Sequence, residues 1–119
     1  MFNGMASRWH VLLLSGETPD ELERRTSELA TELETGQHGT LGEFEAHLHR
    51  LDHPRDHRRV VVAADAETAA HALRTLDPQA VRTAQNRADG GEIAFAFPGG
   101  GAQHPGMTGQ LYALSPRLR

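Results

Sequence analysis

The sequence contains no cysteine. That excludes a disulfide framework, a thiol nucleophile and a thiolate metal site. It contains no lysine either: all 12 basic residues are arginine, so a phosphate-binding loop built on Gly-Lys-Ser/Thr is excluded. Arginine without lysine, together with plentiful alanine, glycine and histidine, points to GC-rich coding and says little about chemistry. Aromatic residues are few, 5%, and the length of 119 residues is enough for one small domain with a modest core. No apolar run approaches the roughly 20 residues of a membrane helix. The N-terminal stretch "MFNGMASRWHVLLLSG" has neither the basic start nor the small-residue cleavage site of a secretory signal. The expected location is the cytoplasm, away from membranes. A net charge of −4 argues against a nucleic-acid partner.

What the chain does have is two periodicities in alternation. "WHVLLLSG" reads as a strand over residues 9–14, and because it is apolar on both faces it is expected at the centre of a sheet. A helix is predicted over 19–35, with Thr18 as N-cap, Pro19 at the first helical position, Glu21 closing a capping box and Gly36 as the stop. Leu22, Leu29, Ala30 and Leu33 form its apolar face. Thr40 and Glu43 repeat the capping grammar ahead of a second stripe, Leu41, Phe44, Leu48 and Leu51, which Pro54 closes. "VVVAA" places a buried strand over 58–64. Asp65 caps a third helix whose inward face is Ala66, Ala69, Ala70, Leu73 and Leu76. "QAVRTAQN" is a weaker strand, "RADGG" a turn and "EIAFAF" a strand. The fold class is therefore α/β of the α+β type: a small three-stranded sheet with helices packed on it, in the order β-α-α-β-α-β, plus a C-terminal strand and a glycine-rich tail. The composition changes at Arg87–Gly91. This divides the chain into an extension (1–8), a compact domain (9–87) and an appended piece (88–119).

Several residue groups invite a chemical reading. Of the eight histidines, His47 and His49 are two apart, which on a helix turns them about 200° from one another. His53 and His57 flank Pro54, which breaks helical spacing. No metal site is expected from them, and no cofactor. Glu21, Glu23, Glu28, Glu32 and Glu34 make the first helix acidic; they read as a solvated face or as a docking surface. Arg55, Arg58 and Arg59 form a basic cluster entering a strand, which reads as edge charge or as a surface that steers an acidic partner.

The segment "FAFPGGGAQHPGMTGQLYALSP" resembles the opening of the acyltransferase domain of modular polyketide synthases and the malonyl transferases of fatty-acid synthesis. Phe97, Pro98, Gly99, Gly101, Gln103, Gly106, Met107, Gly109, Leu111 and Tyr112 carry the resemblance. Ser115-Pro116 stands where that family has a similar pair. Upstream, "LLLSGETPDELERRTSELATEL" and "DHRRVVVAADAETAAHAL" resemble the linker domain that joins ketosynthase to acyltransferase. The resemblance implies an α/β linker domain with a small three-stranded sheet. It also implies that Gly99, Gly100, Gly101 and Gln103 are the remnant of an oxyanion loop, in which a backbone N–H stabilises the charge of the acyl-transfer intermediate. The family's usual donor position falls on Gly100 here, so an N–H remains but a side chain that would stiffen the loop is gone.

Acyltransferases of this kind use a serine on a Gly-x-Ser-x-Gly elbow with a distant histidine as base. Ser7, Ser15, Ser27 and Ser115 all lie outside such an elbow. The expectation is therefore a linker or docking domain that is not itself an enzyme, carrying a truncated acyltransferase start. It would hold ketosynthase and acyltransferase in fixed relation during polyketide chain extension in antibiotic biosynthesis. Its partners would be those two activities, as domains or separate proteins, and an acyl carrier protein. Arg55, Arg58, Arg59, Phe95 and Phe97 are the interface candidates. The alternative is one fragment of a split malonyl or acyl transferase completed by another chain. Ile93, Phe95 and Phe97 share one face of the "EIAFAF" strand and are expected to be protected, either against the domain or in a neighbouring chain.

Overall fold

A computed structural model describes residues 8–37, 39–51, 55–86 and 92–118. Three strands, β1 (His10–Gly16), β2 (His57–Ala63) and β3 (Val81–Gln85), form one antiparallel sheet in the order β1-β2-β3. Helix α1 (Pro19–Thr35) follows β1, α2 (Leu41–Leu51) precedes β2, and α3 (Ala66–Thr75) links β2 to β3. This is the mixed α/β architecture that the alternating periodicities predict. Most of the expected 1–8 extension, the Pro54 stop and the Arg87–Gly91 boundary lie outside the described residues. Among the described residues no helix is long and apolar enough to cross a membrane.

Local chemistry sets the element ends. The Thr18 hydroxyl accepts the Glu21 N–H at 3.1 Å, while the Glu21 carboxylate reaches back one residue beyond the cap, to the Glu17 N–H at 2.8 Å. Gly16 admits this tight entry, because a Cβ there would lie 2.7 Å from the Leu22 amide nitrogen. Gly36 ends α1 in the left-handed region at φ 69°, which glycine adopts without a Cβ clash. Thr40 and Glu43 make the full reciprocal box ahead of α2. Asp65 accepts the Thr68 N–H at 2.7 Å and caps α3.

The core lies between the sheet and the helix pair α1 and α3. Leu12, Leu14, Val61, Ala63 and Val81 meet Leu22, Leu29, Ala30 and Leu33 of α1 and Ala69, Ala70, Ala72 and Leu73 of α3. Phe44 of α2 joins them from the side. Two expected inward residues turn out. Leu76 caps α3 in the left-handed region at φ 49° and is 42% exposed, because that backbone turn rotates it off the helical face. Leu51 at the end of α2 is 65% exposed.

Two corrections concern the strands. β1 is an edge strand and β2 is central. The second apolar face of β1 belongs to the uncovered side of the sheet, where Leu13 is 40% exposed. The outer edge of β1 is capped at Val11 and Ser15 by side chains instead of a strand: Glu45 accepts the Val11 N–H at 2.8 Å, His49 meets the Val11 carbonyl at 2.8 Å, and Arg25 donates to the Ser15 carbonyl at 2.9 Å. The second correction is that "EIAFAF" pairs with no strand, and residues 92–99 carry no regular element. Its alternation is strand-like, but a strand needs a ladder partner. After it come a 3-10 turn (Gly100–Ala102), a short helix α4 (Gly109–Leu114) and a last 3-10 turn (Pro116–Leu118).

Candidate functional site

The glycine loop is a turn with its own internal bonds. Ala102 N–H donates to the Gly99 carbonyl and Gln103 N–H to the Gly100 carbonyl, both at 3.1 Å. Among the described residues the N–H groups of Gly100 and Gly101 bond to nothing. No side chain crowds the loop: a Cβ at Gly99, Gly100 or Gly101 would meet no atom within 4 Å. Pro98, Gly99, Gln103, His104 and Met107 line an open hollow of about 530 Å³ beside it. Chemically the turn leaves two amides free to donate.

The apolar residues around the loop are in water. Ile93 is 84% exposed, Phe95 83% and Phe97 89%. Met107, Leu111, Tyr112 and Leu114 are also exposed. Phe95 and Phe97 are therefore not folded back on the sheet, as one of the two sequence expectations had it. Ser115 follows α4, and its N–H donates to the Leu111 carbonyl at 2.9 Å.

The basic cluster and the acidic helix face prove to be partners of each other. Arg59 is 5% exposed. Its guanidinium grips Glu23 with both terminal nitrogens, at 2.6 and 3.1 Å, and donates to the hydroxyls of Thr26 at 2.7 Å and Thr83 at 2.9 Å. One arginine thus ties α1, β2 and β3 together, and the expectation of Arg59 as a surface contact meets a buried side chain. The reason is strand alternation, which puts residue 59 on the same covered face as Val61 and Ala63. Arg55 donates to Glu21 at 2.7 Å. Arg74 forks onto Glu34 at 3.0 and 2.9 Å, and Arg24 pairs Glu28 at 2.7 Å.

The carboxyl pKa values follow these contacts. Glu23 is held below its ordinary value by the Arg59 hydrogen bonds. Glu21 is lowered first by the Glu17 N–H and then by Arg55, Arg25 and Arg24. Glu45 is lowered first by the Val11 N–H and further by His10, whose Nδ1 lies 2.9 Å away. Arg58 is the member of the cluster that meets no carboxylate among the described residues; its Nε donates to the Arg55 carbonyl at 2.9 Å.

The sequence reading missed the Glu45 and His49 clamp. Its signal was an i, i+4 pair on α2, flanking the Phe44 and Leu48 stripe.

No family model matches the chain. Polyketide synthase GfsA of Streptomyces halstedii is 36% identical over 109 residues, 87% of this chain and 1% of its own length. The solved acyltransferase domain of ZmaA superposes with a TM-score of 0.78 at 27% identity, over 91% of this chain and 25% of that one. The acyltransferase domain of SpnD, in complex with 2-(pent-4-yn-1-yl)malonyl, gives 0.68 at 30% identity over 87% and 25%. The oxazolomycin ketosynthase domain OzmH KS7 of Streptomyces albus JA3453 gives 0.61 at 25% identity over 68% and 15%. The chain therefore spans a small part of each protein it is similar to. These findings correct the expectation of a linker that is not itself an enzyme: nearly its whole length is matched within acyltransferase domains. The chain is similar to a short segment of polyketide synthases, one with the framework of an acyltransferase fragment.

Proposed function

We propose that this chain is the segment through which a polyketide synthase acyltransferase is seated beside its ketosynthase. In this reading residues 9–87 form the positioning domain. Residues 88–119 open the acyltransferase body, with Gly100 supplying an oxyanion amide. The observation that carries it is the exposed stripe Ile93, Phe95 and Phe97 leading into a turn whose Gly100 and Gly101 amides have no partner among the described residues. At about 25 cal/mol per Å² of apolar surface, leaving these side chains in water forgoes several kcal/mol, so their packing partner belongs to another part of the assembly. That the same fold unit recurs in acyltransferase and ketosynthase structures supports a position between the two activities. A malonyl-type acyl group is the proposed cargo, by likeness to the SpnD complex. Holding the two activities together raises their effective concentration.

A second reading, a split acyltransferase completed by another chain, is favoured by the unpacked residues 92–114. One experiment tests the proposal and separates the readings. The chain is mixed with the SpnD acyltransferase domain lacking its matched quarter, and malonyl transfer is followed by intact mass. Hydrogen exchange is read over residues 92–112. Protection of Phe95 and Phe97 with an acyl adduct on the larger chain is expected. No protection and no adduct, both with that fragment and with a ketosynthase domain, overturns the proposal. An adduct with the SpnD fragment and no binding to ketosynthase favours the split enzyme.

A further inference from the structure

The two edges of the sheet are built differently. β1 is capped on its outward side by Glu45 and His49 at Val11 and by Arg25 at Ser15, with Leu13 between them. β3 has no such cover. The bonds from Val62 N–H to the Ala80 carbonyl and from Asn86 N–H to the Asp56 carbonyl fix its phase. Ala80, Arg82, Ala84 and Asn86 therefore bond toward β2, and Val81, Thr83 and Gln85 point outward. The Val81 N–H is taken by the Asp77 carbonyl, and the Val81 carbonyl by the Arg82 guanidinium. Among the described residues the backbone groups of Thr83 and Gln85 have no partner. An exposed edge of this kind is a template for an added strand.

The adjoining sheet face says what kind of strand fits. Helices cover the side of Leu12, Val61 and Arg59; the other side carries Leu13, Val60, Arg58, Arg82 and Ala84. These five residues line an open hollow of about 380 Å³. Arg82 stands on the edge strand itself. Arg58 lies one strand in, opposite Ala84, whose small side chain leaves room for a longer one to reach across. Both guanidinium groups bond only to backbone carbonyls and meet no carboxylate among the described residues. Arg24, Arg25, Arg55, Arg59 and Arg74 all do meet one.

We propose that β3 receives an extended acidic segment of a partner protein as a fourth strand, its carboxylates seated on Arg82 and Arg58. Backbone bonds to Thr83 and Gln85 supply the pairing, and the two arginines select the charge. Alternation sends every second side chain of the incoming strand to the open face, so a segment alternating apolar and acidic residues matches both sides.

The test uses the full chain and an eight-residue peptide alternating valine and glutamate, followed by amide NMR. Chemical-shift changes and slowed exchange centred on Thr83 and Gln85 are expected, weakening with salt. Arg82→Glu, an exposed substitution, should weaken binding about tenfold and favour the matching valine–lysine peptide. Gln85→Pro removes an outward N–H and leaves the β2 ladder intact; it should abolish the effect. Three results overturn the proposal: equal binding of the glutamate and lysine peptides, shifts elsewhere than β3, or no shift at millimolar peptide. Sedimentation provides the remaining arm. A dimer paired through β3 that the glutamate peptide does not displace would mean that the edge belongs to a second copy.

Discussion

Leu12 and Phe97 both sit in apolar stretches with strand-like alternation, yet Leu12 is fully buried and Phe97 is 89% exposed. The sheet with α1 and α3 encloses a core of its own. Residues 92–114 display theirs. The difference lies in what each segment finds nearby: β1 has a ladder partner and two helices above it, whereas the "EIAFAF" stretch has neither. A hydrophobic pattern specifies that a segment wants cover, and it leaves open whether the cover comes from the same chain.

The sharpest way to test that contrast is to cut into the enclosed half. Leu12→Ala removes a fully buried side chain and should cost about 3–5 kcal/mol in a urea melt. Arg59→Ala should cost about 2–3 kcal/mol, because Thr26 and Thr83 lose their bonds and the packed arginine stem is gone. If that loss were below about 0.5 kcal/mol, Arg59 would be behaving as a surface charge.

Glu45→Ala should cost about 1–2 kcal/mol near neutral pH, read from the same melt. Its acid dependence has a defined sign. The folded carboxyl is depressed, so its contribution is fully present above the unfolded value of about 4.3 and fades as pH falls through the lower folded one. Wild type and variant should therefore converge in acid. Divergence there would mean that Glu45 acts through packing. The smallest effect belongs to the exposed half: Phe95→Ser with Phe97→Ser should shift the melt by less than about 0.5 kcal/mol. A larger loss would show that these rings pack on the domain and would erase the contrast.

Much of this was legible because it is local. Thr18, Gly36, Thr40 and Asp65 mark element ends through bonds to residues within four positions. Leu22, Leu29, Ala30 and Leu33 follow from helical spacing alone. What failed is non-local. A strand apolar on both faces reads alike whether another strand or a helix lies beside it, so β1 reads as a central strand. Charge groups Arg59 with its neighbours, although period-two alternation with Val61 and Ala63 assigns it inward. The pairings of Arg55 with Glu21 and of Arg59 with Glu23 join residues 34 and 36 positions apart; no local spacing encodes them. At the glycine loop the turn was legible, while the lack of a ladder for the preceding stretch was not.

The side-chain clamp on β1 also bears on how far copies of this chain can assemble. A sheet open at both edges can add molecules without limit and grow into a fibre. With Val11 and Ser15 already bonded on their outward sides, Leu13 between them is the residue of β1 left to pair, too short a stretch to template a strand. Two copies meeting at β3 would use up each other's longer free edge among the described residues, and the pair would be closed by a two-fold axis. The capped β1 edge thus disfavours polymerisation by edge pairing, and the chain can keep β3 open at a lower risk of runaway growth.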